Sequence, residues 1–318
     1  MLTKIFPILS KYIQVNDSLI VGVSGGPDSV FLLNILAEFS KQMPCKIIIA
    51  HVNHGIRGRE ADKDEKFVKN LAEKFGHKFE AKRVKLAGKS AVEENGRKIR
   101  REFFEMLLQK YHAHSIITAH TQDDNVETII FNFLRGSGLK GLAGMKEKNG
   151  FYLKPLLGTG KPEILKFLHR RKIKFCKDKT NDDTRFSRNF IRKKILPLFS
   201  KINPSFCAAI LRSSSIFREL DDFITLQARQ FLKKHRKGSS LFPLKEYESL
   251  PEALKTAVIR EAFRICKKTA YSLSAIKTAE IRCLLGRKIG NKKIICSKGG
   301  GFYLKKGMVK WLWPVHRP

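Results

Sequence analysis

Six residues near the N-terminus have the types and the spacing needed to bind phosphate. They are Ser24-Gly25-Gly26-Pro27-Asp28-Ser29, and they follow the apolar run 19–23, which predicts a buried strand. Two adjacent glycines let backbone N–H groups approach phosphate oxygens closely, and the two serines add hydroxyl donors. Asp28 lies at the start of a predicted helix, where its carboxylate can hold Mg²⁺. The segment therefore predicts a loop that binds the phosphates of a nucleotide such as ATP.

This loop differs from two common nucleotide-binding motifs. It lacks the lysine of a Walker A loop, and the spacing of Gly22, Gly25 and Gly26 does not fit the dinucleotide fingerprint. Neither a kinase-type NTPase nor a nicotinamide-dependent enzyme is favoured. A turn of Ser, Gly, Pro and Asp also joins strands to helices in proteins that bind no phosphate, so an ordinary turn stays open as the alternative.

The elements around the loop predict an α/β domain with a parallel sheet. Strands and helices alternate, and the helical segments have apolar residues recurring at three and four. The further strands are predicted at 45–52, 78–84 and 115–119, and the helices at 30–39, 60–75, 97–111, 124–134 and 161–171, with a long helix after Pro204. Ligands of such sheets bind at the carboxyl ends of the strands. We therefore expect His51 and His120, which lie at or just after two strand ends, to lie beside the phosphate loop.

Length and charge predict a second, basic domain. The 318 residues include 63 basic and 29 acidic side chains, a net charge of +34, which favours a polyanionic partner. We place the domains at 1–200 and 201–318, the second being smaller and mainly helical. No acidic residue follows Glu280, and aromatic residues alternate with basic ones there, as expected for RNA phosphate contacts with stacking platforms. The lysines expected to bind phosphate are Lys292, Lys293, Lys305 and Lys306, and the aromatic residues are Phe302, Tyr303, Trp311 and Trp313. A solvated lysine-rich surface is the alternative.

Cysteine spacing and hydropathy exclude several other classes. The six cysteines form no C-x-x-C pair, so neither a zinc ribbon nor a redox dithiol is indicated. No apolar run reaches the roughly 18 residues that a membrane span requires. We expect a cytoplasmic protein without membrane contact.

Five blocks in order resemble the tRNA(Ile)-lysidine synthetase family. The first block resembles the SGGxDS loop of ATP-pyrophosphatases, and the resemblance covers residues 18 to about 200. The others are His51 to Arg57, Ala119 to Thr128, Leu134 to Met145, and Asp178-Lys179-Thr180-Asn181 followed by Arg188-Asn189-Phe190-Ile191-Arg192. The resemblance implies an adenine nucleotide alpha hydrolase-like fold. It also implies an ATP- and Mg²⁺-dependent enzyme that attaches L-lysine to C2 of the wobble cytidine, position 34, of a tRNA(Ile) with the anticodon CAU.

The implied chemistry suggests roles for particular residues. AMP must first be transferred to the cytosine oxygen, and Asp28 with Mg²⁺ and Arg97 or Arg188 would stabilise the phosphate charge. The lysine amine, with an ordinary pKa near 10.4, must then be held or deprotonated by a carboxylate. Asp124 is the candidate, with Glu127 and Asp123 as alternatives. Capping of a helix would equally explain one of the two aspartates. His51 and His120 are expected to contact ATP.

Other interpretations stay open. A related enzyme could thiolate tRNA, although that chemistry ordinarily needs cysteines near the loop. Amidoligases acting on small molecules share the loop but have little use for a charge of +34. A tRNA-binding protein without catalysis is the third alternative, and a homodimer is left open as the assembly. Gly96, Asn125 and Lys154 depart mildly from the family pattern.

Overall fold

The chain forms two compact units with separate cores. The computed structural model describes residues 2–53, 55, 58–84, 92–176, 187–267, 273–287, 293–297 and 300–312. The units are Met1–Ser214 and Ser215–Pro318. Within the described residues, no helix is long and apolar enough to cross a membrane.

The first unit alternates strands and helices. Its described strands are β1 (Ser18–Gly22), β2 (Lys46–Asn53), β3 (Lys78–Arg83), β4 (Ser115–Ile117), β5 (Lys148–Asn149) and β6 (Tyr152–Leu153). Its described helices are α1 (Leu2–Tyr12), α2 (Pro27–Gln42), α3 (Arg59–Lys74), α4 (Val92–Lys110), α5 (Gln122–Leu134), α6 (Leu139–Leu142), α7 (Lys161–Arg170), α8 (Ser187–Phe190) and α9 (Leu196–Ile202), with a π-helical turn at Ile191–Ile195. Helix α10 (Phe206–His235) includes residues of both units.

The six strands form one sheet in the order β3-β2-β1-β4-β6-β5. All neighbours are parallel except β5, which is antiparallel to β6. The order reverses beside β1, because β2 follows β1 on one side and β4 lies on the other. Ligands of such sheets bind at this switch point, outside the carboxyl ends of the strands.

Strand β1 is buried on both faces. Leu19 and Val21 pack into the core formed with α1, α2 and α7, whereas Ile20 packs with Phe103 and Phe104 of α4 on the other face. This alternation follows the two-residue period of a strand and explains why the run is continuously apolar. The confirmed α/β architecture thus fixes the end of β1 between two layers of helices.

The second unit combines helices with a small antiparallel sheet. The described elements are β7 (Ser240–Pro243), α11 (Leu244–Glu248), α12 (Glu252–Lys267), α13 (Ala275–Gly286), β8 (Lys293–Ser297), β9 (Gly300–Lys305) and β10 (Met308–Leu312), and the sheet order is β7-β10-β9-β8. Phe302 and Trp311 are 0% and 2% exposed, and their ring centroids are 5.2 Å apart in an edge-to-face pair. These two rings form the core of the unit, so the prediction that they are stacking platforms for RNA is wrong. Trp313 lies outside the described residues.

Candidate active site

The phosphate loop follows β1 at the switch point of the sheet. Val23 N donates to Ala50 O at 3.0 Å, which ties the end of β1 to β2. Gly25 has a φ of +91°, a conformation that glycine adopts without strain. A Cβ at Gly25 would also lie 3.3 Å from Cys176 Sγ. Pro27 begins α2, where its missing N–H costs no hydrogen bond. Glycine at position 25 and proline at position 27 are therefore the residue types that suit the backbone conformation of the loop.

Hydrogen bonds within the loop fix its shape. Ser29 is 5% exposed, and its hydroxyl donates to Gly26 O at 3.0 Å while accepting from Ser24 N at 3.2 Å. Gly26 N donates to Ser24 Oγ at 3.3 Å. Ser24 itself is exposed. Ser29 therefore holds the loop together, whereas Ser24 is open to a ligand.

Asp28 carries a half-buried carboxylate with an unsatisfied oxygen. Its Oδ1 has no hydrogen-bond partner among the described residues. Burial raises the pKa of Asp28 from its ordinary value near 3.8 to about 6; Lys161 and Arg192 lower it, while Asp124 raises it. No cluster of three or more His, Cys, Asp or Glu in the described residues could hold a metal ion. A Mg²⁺ ion here would therefore need phosphate oxygens beside Asp28, which is its usual coordination in nucleotide sites.

Asp124 lies in the first turn of helix α5 and forms a capping box with Thr121, the N-cap residue. Its Oδ2 accepts from Thr121 N at 2.9 Å, and Asp124 N donates to Thr121 Oγ1 at 3.3 Å. Its other oxygen, Oδ1, accepts from Arg192 Nη2 at 3.3 Å. The carboxylate is thus oriented from both sides, and the Oδ1 contact is the longer one.

Asp123 caps a different helix. Its Oδ2 accepts from the backbone N–H of Lys161 at 2.8 Å, at the first residue of α7. This bond satisfies one of the four N–H groups that a helix leaves unpaired at its start. We expected one of the two aspartates to cap a helix. In the structure Asp123 caps α7 and Asp124 belongs to the capping box of α5.

Arg192, which is partly exposed, forms a two-pronged ion pair with the buried Glu127. Glu127 is 1% exposed, and Arg192 donates from Nη2 to its Oε2 at 2.8 Å and from Nε to its Oε1. Arg192 lies in the π-helical turn, which packs against α5. Since the same guanidinium contacts Asp124, one arginine orients two of the three carboxylates of α5, Asp124 and Glu127. Residue spacing did not distinguish this arginine from Arg188.

Arg188 lies one helical turn before Arg192 in a different environment. Its guanidinium carbon is 5.8 Å from the centre of the Phe131 ring, within the range of a cation–π contact. The catalytic role predicted for Arg188 stays a prediction.

Burial favours the neutral form of the two histidines predicted to contact ATP. His51 is 4% exposed and its Nδ1 donates to Val23 O at 2.8 Å; burial lowers its pKa. Burial likewise lowers the pKa of His120 to about 4, and its Nδ1 is 3.0 Å from Thr118 Oγ1. His51 therefore supports the start of the phosphate loop, and His120 lies after β4 at the same edge.

His120 lies near three cationic side chains as well as near the carboxylate of Asp124. Arg97 and Arg100 on α4 and Lys154 after β6 each lower its pKa through their charge. Burial lowers the pKa of Lys154, as expected for an ammonium group with little water around it. Helix α4 starts at Val92 and passes through Gly96, so the glycine does not end it. Three cationic side chains thus lie near His120, at the edge of the sheet where a triphosphate is expected to bind.

Asn125 joins α5 to the segment that follows it. The side chain is 3% exposed, and its Oδ1 accepts from Met145 N at 2.7 Å. Gly144 has a φ of +67°, and a Cβ there would lie 2.5 Å from the Asn125 oxygen. The short amide and the glycine therefore fit one another. The Asp178–Asn181 block and His54, Ile56 and Arg57 lie outside the described residues.

Comparison with known proteins identifies the class. Residues 3–199 match the family model of the PP-loop domain. A solved structure, the U34-tRNA thiolase NcsA from Methanococcus maripaludis, is similar with a TM-score of 0.58 over 69% of this chain and 77% of that chain. At 21% identity this likeness shows the fold alone. The sheet, the loop and the family match together define a PP-loop ATP-binding protein.

Relatives specify the family further. The tRNA(Ile)-lysidine synthase of Thermosipho africanus is 40% identical over 231 residues, 70% of this chain and 54% of the relative. The tRNA(Ile)-lysidine synthase of Chlorobaculum tepidum is 34% identical over 235 residues, 71% of this chain and 70% of the relative. The chain belongs to the tRNA(Ile)-lysidine synthase family. It spans about half the length of the first relative and 70% of the second.

Proposed function

We propose that the protein uses ATP to join lysine to C2 of the wobble cytidine in a tRNA(Ile) with the anticodon CAU. Family membership supports this reaction, and one observation in the site is the main structural argument for it. The unpartnered Oδ1 of Asp28 lies in the electrostatic field of Asp124 and Arg192, which form the second half of the site. A phosphate-activating carboxylate and an amine-binding carboxylate are therefore neighbours, as a two-step ligation needs.

The first step is AMP transfer to the cytosine oxygen with loss of pyrophosphate. Asp28 would hold Mg²⁺ through Oδ1, and the ion would withdraw charge from the phosphates. The loop offers the exposed Ser24 hydroxyl, and hydrogen bonds within the loop fix its backbone before the substrate arrives. Arg97 and Lys161 add positive charge at the same edge. Their proposed role is to stabilise the charge that builds up on phosphate.

The second step is attack of the lysine amine on C2 with loss of AMP. Of the three candidate carboxylates, Glu127 is almost fully buried and bound on both oxygens by Arg192. Asp123 is engaged at the start of α7. Asp124 keeps the longer Oδ1 contact of 3.3 Å, which an ammonium group could replace. We therefore assign the binding and deprotonation of lysine to Asp124, with Arg192 positioning it.

Binding of tRNA is assigned to the basic surface of the second unit. Lys293, Lys305 and Lys306 are exposed; Lys305 is the last residue of β9, and Lys306 lies in the turn that joins β9 to β10. Lys292 lies outside the described residues. Exposed lysines suit phosphate contacts, which position RNA without reading its sequence.

The test is a complete reaction followed by nucleoside analysis. The protein is incubated with ATP, Mg²⁺, labelled lysine and the CAU tRNA(Ile), and the digested tRNA is examined for lysidine by mass spectrometry. We expect labelled lysidine from the wild type, and tRNA-dependent pyrophosphate release without lysidine from Asp124→Asn. Glu73→Gln, on the exposed face of α3, is the control and should behave as the wild type.

Other results would redirect the proposal. Pyrophosphate release without lysidine in the wild type would keep the adenylation step but require another nucleophile, as in a thiolation enzyme. Neither product would leave a tRNA-binding protein without catalysis. Lysidine formation by Asp124→Asn at the wild-type rate would remove Asp124 from the second step.

A further inference from the structure

Helix α5 carries an exposed apolar group at the end opposite to Asp124. Phe133 and Leu134 are 68% and 61% exposed, and Phe190 of α8, which packs against α5, is 47% exposed. We call Phe133, Leu134 and Phe190 the phenylalanine patch. Single exposed apolar residues are ordinary, but two aromatic rings on adjoining elements present a larger surface.

Two arginines contact Phe131, which lies two residues before Phe133 on α5. The guanidinium carbons of Arg135 and Arg188 are 5.2 Å and 5.8 Å from the centre of the Phe131 ring. The surrounding segments carry positive charge alone: 128–146 and 187–202 contain eight Lys or Arg and no Asp or Glu. The charge of this surface therefore complements an anionic partner.

We propose that the phenylalanine patch is a stacking surface for unpaired RNA bases next to the target cytidine, an inference that rests on the proposed function. Unpaired bases stack on phenylalanine rings and on arginine planes, and the charge of the two flanking segments suits their phosphates. Asp124 and Phe133 are nine residues apart on α5, about 14 Å along a helix axis. Neighbours of a cytidine held at Asp124 can reach the patch over that distance.

The chain provides a matched control for this surface. Phe151 is 59% exposed and belongs to the same unit, but it lies between β5 and β6, where its carbonyl oxygen accepts from Ile116 N near the start of β4. It is therefore at the amino edge of the sheet, away from the phosphate loop. Phe151→Ala removes the same side chain from a similarly exposed position that the proposal leaves without a role.

The experiment measures binding of an anticodon stem-loop RNA with the sequence CAU, carrying a fluorescent adenine analogue next to the target cytidine. We expect Phe133→Ala and Phe190→Ala each to weaken binding by roughly fivefold or more and to reduce quenching of the analogue. Their ATP affinity should equal that of the wild type. Phe151→Ala should change neither quantity, and Phe133→Trp should retain binding.

The possible contrary results distinguish failure of the stacking surface from failure of the proposed function. Equal RNA affinity of Phe133→Ala, Phe190→Ala and Phe151→Ala would overturn the stacking surface while leaving the proposed function intact. If Phe133→Leu bound RNA as tightly as the wild type, no base would stack on the Phe133 ring and the stacking surface would be overturned. Absence of RNA binding by the wild type would instead contradict the proposed function. Loss of ATP affinity together with RNA affinity would show that the variants disturb the fold.

Discussion

The ionised carboxylate of Asp28 lowers the stability of the folded protein, because it is partly buried. Burial raises its pKa to about 6, so above that pH the fold holds a carboxylate with an unpartnered oxygen. At 1.36 kcal/mol per pKa unit, the shift corresponds to roughly 3 kcal/mol of lost stability. Shifted pKa values of this kind gather at functional sites, because a structural residue would have been replaced by a neutral one.

Replacing Asp28 by asparagine should make the metal-free protein more stable and inactive. Between pH 4 and 6 the folded protein binds a proton at Asp28 that the unfolded chain has released, so this group's contribution falls as pH rises. The stability difference between Asp28→Asn and the wild type should therefore grow across that window, to about 3 kcal/mol above pH 6. Urea unfolding at several pH values, with a chelator present, measures it.

The control for this measurement is Glu73→Gln, which removes an exposed carboxylate from α3. Its stability difference should stay small and nearly constant with pH. If Asp28→Asn were less stable than the wild type at pH 8, Asp28 would have a stabilising partner and the argument from its pKa would fail.

Sequence reasoning found the residues of the loop but chose Arg188 and left out Arg192, the arginine that contacts Asp124 and Glu127. Arg188 and Arg192 are four residues apart, and nothing in their types shows which one faces α5. The deciding feature is the burial of Glu127, which needs a partner of opposite charge. Burial depends on how α5 packs against the π-helical turn, and that packing has no local pattern in the sequence.

Elements were predicted well where their hydrophobic pattern is long. The strands beginning near residues 19, 45 and 78 and the helix at 60–75 end within one or two residues of the observed bounds. Strands β5 and β6 were not predicted, because two residues are too few to show a period. Helix α4 begins five residues before the predicted start, since Gly96 is tolerated inside it.

The two glycines of the phosphate loop should respond differently to alanine. Gly25→Ala should lower stability by about 1–2 kcal/mol, because its φ is +91°. Gly26 has a φ of −70° and its nearest new contact would be Ser24 Oγ at 3.5 Å, so Gly26→Ala should fold normally. Both should weaken ATP binding by crowding the phosphates. Thermal melting and ATP titration separate the two effects.

The matched control is Gly286→Ala in the second unit, where a Cβ would meet nothing within 4 Å. This variant should retain both stability and ATP affinity. Unchanged ATP affinity in Gly26→Ala would show that phosphate does not approach the loop backbone, against the site as assigned.

At the scale of the whole molecule, the basic C-terminal segment belongs to a core. Removing 281–318 would delete β8, β9 and β10 together with Phe302 and Trp311. Such a truncation would test folding rather than RNA binding. The alternation of basic and aromatic residues there is the in–out pattern of a strand, with Phe302 and Trp311 inward. Composition alone did not distinguish this pattern from a binding tail.

Point substitutions in the β9–β10 turn avoid this difficulty. Lys305→Gln with Lys306→Asn should weaken tRNA binding and reduce the slope of log affinity against log salt by about 1 for each phosphate that the variant no longer binds. Asparagine suits Lys306 because that residue has a φ of +50°. Fluorescence titration of tRNA at several salt concentrations measures the slope.

The control pair is Lys41→Gln with Lys46→Gln, two exposed lysines of the first unit that also remove two charges. The slope should stay at the wild-type value in this pair. Equal slopes in both double variants would mean that the turn binds no phosphate.

The pairing of β7 with β10 also sets an order of folding during synthesis. Residues 240–243 cannot complete their sheet until residues 308–312 have been made, and Trp311 fills the core only then. The first unit, which includes Lys161 and Arg192 of the site, is in contrast complete once residue 214 has been made. At ordinary translation rates, the nascent chain carries a folded nucleotide site for on the order of ten seconds before the basic unit closes. The unit that carries the phosphate loop is therefore complete before the unit whose lysines are proposed to bind tRNA phosphates.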